Sequence, residues 1–266
     1  MIGRILAGTG RSLLDSFDGA GATLLLLVRS LPWLRLAPLR YREIASLAFV
    51  YGVKSLPVVL IVAAFTGMIV SLQTGIALSQ YGQQELMGNI VAIAMCREMG
   101  PFITALILTA TAGSSIAAEL GTMKVSEEID ALEVMSIRTE KFLVMPRLVA
   151  LVLICPTLTL LTMILGTVGA AVVAHAQLDV AYRIFFDNAL EALRTPGWYF
   201  GLPKDVYTGL TKSVVFGASI AVVSCANGLE ARGGALGVGR AARNAVIVSF
   251  LLILILGYVM TWIFYR

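Results

Sequence analysis

The sequence predicts an all-α integral membrane protein with five transmembrane helices, an N-terminal interfacial helix and a charged cytoplasmic surface helix. Three observations carry that prediction. Of 266 residues, 58% are hydrophobic and 14% charged, with a mean hydropathy of +0.88, whereas a soluble domain carries about 25% charged residues. The apolar residues form blocks long enough to cross ~30 Å of hydrocarbon as helices, and lack the alternating ten-residue pattern of an outer-membrane barrel. One long charged stretch, Ala118–Arg147, interrupts them, with five of the sixteen acids between Glu127 and Glu140.

Residues 1–54 carry seven Lys and Arg, among them Arg4, Arg11, Arg29 and Arg40. The apolar run Ala20–Val28 is too short to cross a bilayer, and with arginines at both ends it reads as a helix in the interface. No small-residue cleavage site follows it, so no cleavable signal peptide is expected. Pro32 and Pro38 are expected to break the chain, and Tyr41–Tyr51 reads as a second amphipathic piece. The membrane domain then covers 55–266. Its first span, 56–78, repeats small residues every four positions (Ala63, Gly67, Ser71, Gly75), a face that lets another helix approach closely.

Asn89–Glu119 would be a helix of about 46 Å at 1.5 Å per residue, too long for one upright span. Gly100-Pro101 suggests a break, because glycine suits a helix end and proline a first turn. The second span is therefore placed at 101–118. The third, 148–174, has Pro156 as an expected kink. Val180–Leu193, before Pro196-Gly197, reads as an amphipathic surface helix. The fourth span is 206–226, with Lys212 near one end and able to snorkel. Asn227–Arg243 reads as a Gly-rich basic loop, and 245–265 is the fifth span. Cys96, Cys155 and Cys225 lie far apart in apolar surroundings and read as packing residues.

Counting Lys and Arg sets the orientation. With the N-terminus in the cytoplasm, the inner segments hold seven, four and three, and the outer segments five, a positive-inside bias. The charged stretch is then cytoplasmic. A helix within it is expected to start at Ser126 as N-cap, with Glu127 and Glu128 in the first turn. Val125, Ile129 and Leu132 form its apolar stripe. A helix of this kind rests on the membrane surface or against a soluble partner.

Arg97 and Glu98 fall inside the membrane block. Charges there are tolerated when they face a protein interior or a wet cavity, and sequence neighbours point to different sides of a helix. A guanidinium in that place can fork onto the phosphate of an anionic headgroup. The other reading is a structural charge paired with a neighbouring helix. Gln73 and Tyr81 are candidate co-liners at the same outer end. The run Gly233-Gly234-Ala235-Leu236-Gly237 matches no phosphate-binding loop. The single His175 has no metal-spaced partner, and no Ser or Cys has an adjacent base. No cofactor or metal is expected, and work against a gradient would need energy from another chain.

The block GNIVAIAMCREMGPFITALILTATAGSSIAAELGTMKVSEEIDALEVMSI, then KFLVMPRLVA and NGLEARGGALGVGRAA, closely resemble the MlaE/YrbE family over residues 40–260. These are permease subunits of ABC systems that move phospholipids between the two membranes of Gram-negative bacteria. The resemblance implies a homodimeric permease in the bacterial inner membrane that maintains outer-membrane lipid asymmetry. It also implies an ATPase subunit (MlaF-like) that uses ATP and magnesium, an MCE-domain hexamer (MlaD-like) and a STAS-domain subunit (MlaB-like). By that resemblance Arg97 and Glu98 lie beside the lipid cavity. The resemblance also implies that the segment at about 119–137 is a cytoplasmic coupling helix that docks on the ATPase, with Glu119, Lys124, Glu127, Glu128, Asp130 and Glu133 in it. Family members commonly carry A-G-R-x-G-S where this chain reads Ala110-Thr111-Ala112-Gly113-Ser114, so Ala112 stands in place of the arginine. The alternatives to a driven permease are a passive lipid or solute channel and a membrane scaffold for an MCE complex; an intramembrane enzyme lacks its catalytic groups.

Overall fold

The computed structural model describes residues 21, 23–194, 198–199 and 201–266. Most of the expected helix at Ala20–Val28 falls within these bounds, but Arg4, Arg11 and Pro196-Gly197 lie outside the described residues. Helix α1 (residues 23–30) passes into a 3-10 stretch, Leu31–Arg40, and then into α2 (Tyr41–Ser79). Pro32 and Pro38 therefore tighten the winding without ending it. Tyr41–Tyr51 is the first part of the spanning helix and not a separate piece, and Pro57 sits inside it.

Helix α3 (Gln84–Val125) is helical throughout its 42 residues, which corrects the break expected at Gly100-Pro101. The chain accommodates the proline by winding wider: Met95–Met99 is a π turn, and the Gly100 N–H donates to the Met95 carbonyl. A second π turn covers Thr109–Gly113. At 1.5 Å per residue α3 is about 63 Å long, twice the hydrocarbon thickness. Its first turns extend beyond the span and pack against α6 (Tyr182–Arg194), where Gly88 meets the Phe185 carbonyl and Asn188 Nδ2 donates to Glu85 O at 2.7 Å. Phe185, Ala189 and Ala192 form the buried face of α6, as expected of an amphipathic surface helix.

After α3 come the short α4 (Glu128–Val134) and α5 (Glu140–Leu178), which runs through Pro156 as one helix. A two-residue hairpin pairs β1 (Trp198–Tyr199) with β2 (Leu202–Pro203) antiparallel. Helices α7 (Lys204–Leu229) and α8 (Gly234–Tyr265) complete five helices long and apolar enough to span a membrane among the described residues. The expected Gly-rich loop shrinks to residues 230–233. Gly233 and Gly234 take φ of +86° and +67°, which glycine reaches without steric penalty. Gly237, Arg240 and Arg243 are helical.

The small-residue stripe of α2 is buried along its length and faces α5. Gly67 abuts Gly166, Gly169 abuts Ala64, and Ser71 Oγ donates to Ala170 O at 2.7 Å. From Gly52 beside Ile154 to Gly75 beside Leu178, residue numbers rise together along this seam, so α2 and α5 run parallel. α3 and α7 run the other way, with Cys96 beside Gly209 and Ala117 beside Gly228. The bundle thus has a near face, where α2, α5 and α8 begin, and a far face, where α3 and α7 begin. The five spans cross alternately, as the sequence predicts. α7 is the most enclosed span and α8 the least.

Candidate functional site at the far face

The two adjacent charges of α3 each find a partner on α7. The approach depends on Gly209, where a Cβ would run into the Cys96 carbonyl. Four residues before Gly209 is Asp205, and three after it is Lys212, so all three share one helical face. Arg97 Nε and Nη2 fork onto Asp205 Oδ1 and Oδ2 at 2.6 and 3.2 Å. Asp205 is fully buried and lies in the first turn of α7, where the helix dipole favours a carboxylate. The Tyr265 hydroxyl, from the end of α8, donates to the same Oδ1. Its ring lies under the Arg97 guanidinium at 4.3 Å and the Lys204 ammonium at 5.1 Å.

Two turns further in, Lys212 is 1% exposed and all three of its ammonium protons have acceptors. They are Glu98 Oε1 at 2.6 Å, Thr261 Oγ1 at 2.7 Å and the Arg97 carbonyl at 2.9 Å. That carbonyl is available for a chemical reason: in a regular helix it would bond the N–H of residue 101, and Pro101 has none. Thr261 Oγ1 also lies 2.7 Å from Glu98 Oε1. Lys212 does not snorkel to the surface as the sequence suggested. Eight residues, about 12 Å, into α7, it is closer to Glu98 than to any headgroup layer.

The cluster therefore ties three spans together in two tiers, Arg97–Asp205–Tyr265 and Glu98–Lys212–Thr261. The pairing between helices is visible, and Arg97 keeps a second capacity beside it. Nε and Nη2 are committed to Asp205, while Nη1 lies outside that fork and the side chain remains 31% exposed. The other two candidate liners are placed elsewhere. Gln73 is exposed and two residues from both Ser71 and Gly75, hence on the face of α2 opposite the one packed on α5. Tyr81 is exposed in the turn after α2. Neither is brought to Arg97 within one chain.

Asp205 is the residue that sequence reasoning missed. The available signal was the Asp205–Lys212 spacing of seven, two helical turns, which presents opposite charges on one face of an apolar helix.

At the near face, the segment from Ser114 to Val125 stays part of α3, and Ser126 caps its end instead of starting a new helix. Glu127 takes a left-handed conformation (φ 61°) and turns the chain into α4. Ile129 is buried as a plug with Leu132 packed on the same core, whereas Val125 is largely exposed. Of the charged residues here, Glu119 pairs with the buried Arg147 at 2.8 Å, Lys124 with Asp130, and Glu133 accepts from Thr139 at 3.4 Å. Glu127 and Glu128 are exposed, as are Val134 and Met135 at the end of α4.

These features define a class, a multi-pass helical membrane protein with buried charge pairs at both ends of its spans. Among the described residues no group of three or more His, Cys, Asp or Glu could hold a metal ion, and all three cysteines are free and buried. The family profile described as Permease MlaE matches residues 44–263, and the chain belongs to that family. It is 34% identical over 229 residues to a probable ABC transporter permease protein of Rickettsia bellii, covering 86% of this chain and 85% of that one. It is 36% identical over 215 residues to the chloroplastic protein TRIGALACTOSYLDIACYLGLYCEROL 1 of Arabidopsis thaliana, covering 81% and 59%. Against the intermembrane phospholipid transport system permease protein MlaE of Haemophilus influenzae it is 26% identical over 265 residues, covering 100% and 99%.

Proposed function

We propose that this chain is the membrane-spanning permease subunit of an ABC transporter for phospholipids, driven by a separate ATPase. The single observation that carries the substrate side is Arg97. It is a guanidinium held in place by a buried carboxylate, with one edge left for a second anion, in a permease family that includes a phospholipid transporter. The phosphodiester of a lipid headgroup is the anion that such an edge suits. The near face is the cytoplasmic one, since the segments there carry the Lys and Arg excess. The ATPase docks on it through Glu127, Glu128 and the tip of α4, and uses ATP and magnesium that this chain does not bind. A second copy of the chain covers the exposed face of α8, and an MCE-domain ring and a STAS-domain subunit complete the assembly. The complex resides in the bacterial inner membrane, carries lipid to or from the outer membrane and so maintains its asymmetry.

The test is to isolate the native complex, identify its subunits and extract its lipid for mass spectrometry. An ATP-hydrolysing subunit together with bound phospholipid supports the proposal. A complex with no such subunit, or lipid movement unaffected by nucleotide, supports a passive channel instead.

A further inference from the structure

A cavity of about 380 Å³ opens at the near face, away from the Arg97 cluster, lined by Arg29, Pro32, Trp33, Arg138 and Glu140. Its walls come from two places far apart in sequence: the passage from α1 into α2, and the link between α4 and α5. Because α2 and α5 run parallel, both walls sit where spanning helices enter the membrane. The side chains of Arg29 and Arg138 form no ion pair or hydrogen bond with any described residue. Their neighbours are committed: Arg40 donates to the carbonyls of Lys141 and Phe142 and pairs with Glu43, and the Lys141 ammonium lies 5.4 Å from the Trp33 ring. Two guanidinium groups without a partner among the described residues thus converge on a hollow beside an indole, a side chain that prefers the headgroup layer. Leu25, four residues before Arg29 and so on the same helical face, is exposed and gives an apolar surface on which an acyl chain can lie.

We propose that this cavity binds the headgroup of a glycerophospholipid from the near-side leaflet. Arg29 and Arg138 hold the phosphodiester oxygens, as paired guanidinium groups do, Trp33 packs at the level of the ester linkages, and Leu25 carries an acyl chain. Glu140 adds a preference: its carboxylate accepts from an ammonium, so a headgroup with phosphate and amine together, as in phosphatidylethanolamine, matches all three charges. A cavity of this size takes a headgroup and not a whole lipid. Since Arg138 lies in the link after α4 and Glu140 opens α5, the bound lipid fastens α1 to the segment that follows α4. This site rests on the membrane-spanning fold alone and is independent of the Arg97 proposal.

The experiment is native mass spectrometry of the purified full-length protein in detergent. It is titrated separately with phosphatidylethanolamine, phosphatidylglycerol and inorganic phosphate. The variants are Arg29→Gln/Arg138→Gln, Glu140→Gln and, as a control off the cavity, Arg35→Gln; all change surface-accessible side chains. The expected result is a phospholipid adduct in the wild type and in R35Q, reduced at least tenfold in R29Q/R138Q. In E140Q, binding of phosphatidylethanolamine falls to the level of phosphatidylglycerol, while inorganic phosphate does not displace the lipid. Equal adducts in R29Q/R138Q and wild type, equal losses in R35Q, or displacement by millimolar inorganic phosphate would overturn the proposal.

Discussion

The two ends of the bundle use charge differently. At the far face, Asp205 and Lys212 are buried to within 1% of full enclosure, and each faces one of two adjacent residues on α3. At the near face the buried member is Arg147, with a side chain 6% exposed, while its partner Glu119 is 51% exposed. The other near-face pairs, Lys124–Asp130 and Arg40–Glu43, are both partly open to solvent. Buried pairs contribute little net stability when intact but penalise the loss of one partner heavily, because an uncompensated ion is left in a poor solvent. Exposed pairs contribute about 0–1 kcal/mol. The far end is therefore intolerant of single changes, and the near end leaves room for side chains that serve a partner.

The largest expected effect follows directly. Glu98→Gln leaves the Lys212 ammonium enclosed without its counterion and is expected to destabilise the protein by on the order of 3–5 kcal/mol, read as a fall in Tm in detergent. Lys212→Met should be milder, because the stranded Glu98 side chain is 42% exposed and can reach water. Equal losses for the two variants would mean that Lys212 is not as enclosed as its surroundings indicate.

Next in size is Gly209→Ala. A methyl group there would press on the Cys96 carbonyl, and overpacking of this kind costs about 1–3 kcal/mol. Separation of α3 from α7 would loosen both charge pairs together. The Tm loss of Gly209→Ala combined with Glu98→Gln should therefore fall short of the sum of the two single losses; full additivity would show that the contact and the pair are independent.

At the near end the expectation reverses. Changing Glu127 and Glu128 to Lys should leave stability within about 0.5 kcal/mol, as surface substitutions usually do, while capture of the ATPase subunit is lost. Retained capture would move the docking surface elsewhere. Smallest of all is Glu127→Gly. The left-handed backbone of Glu127 costs an L-residue roughly 1–2 kcal/mol, so glycine should be neutral or slightly stabilising, and Glu127→Val clearly destabilising.

The number and order of spans were legible because apolar length is a one-dimensional signal, and so was the small-residue face of α2. Helix boundaries were less so, and for identifiable reasons. Pro101 reads as a stop when only α-helical winding is considered; the π turn at Met95–Met99 lets the helix continue, and the carbonyl freed by the proline becomes a ligand for Lys212. The glycines after Gly233 read as a loop, yet Gly237 is buried within α8, where a Cβ would meet the Arg232 carbonyl. Ser126 has the chemistry of an N-cap, but the left-handed turn at Glu127 places the helix start later. Arg97 and Glu98 were legible as charges that must be answered. What answers them was not, since Asp205 lies 108 residues away and only the fold brings it near.

The central claim is that Arg97 does more than neutralise Asp205. It is tested by measuring lipid co-purification and phospholipid transport in Arg97→Gln, in Asp205→Asn and in the double variant, each with its Tm. Arg97→Gln alone strands a buried carboxylate, so its loss of function is ambiguous by itself. The double variant removes both charges and should recover much of the Tm lost in Arg97→Gln, yet bind and move lipid no better than that single variant. Recovery of lipid binding and transport along with stability would contradict the claim and leave Arg97 as a strut between two helices.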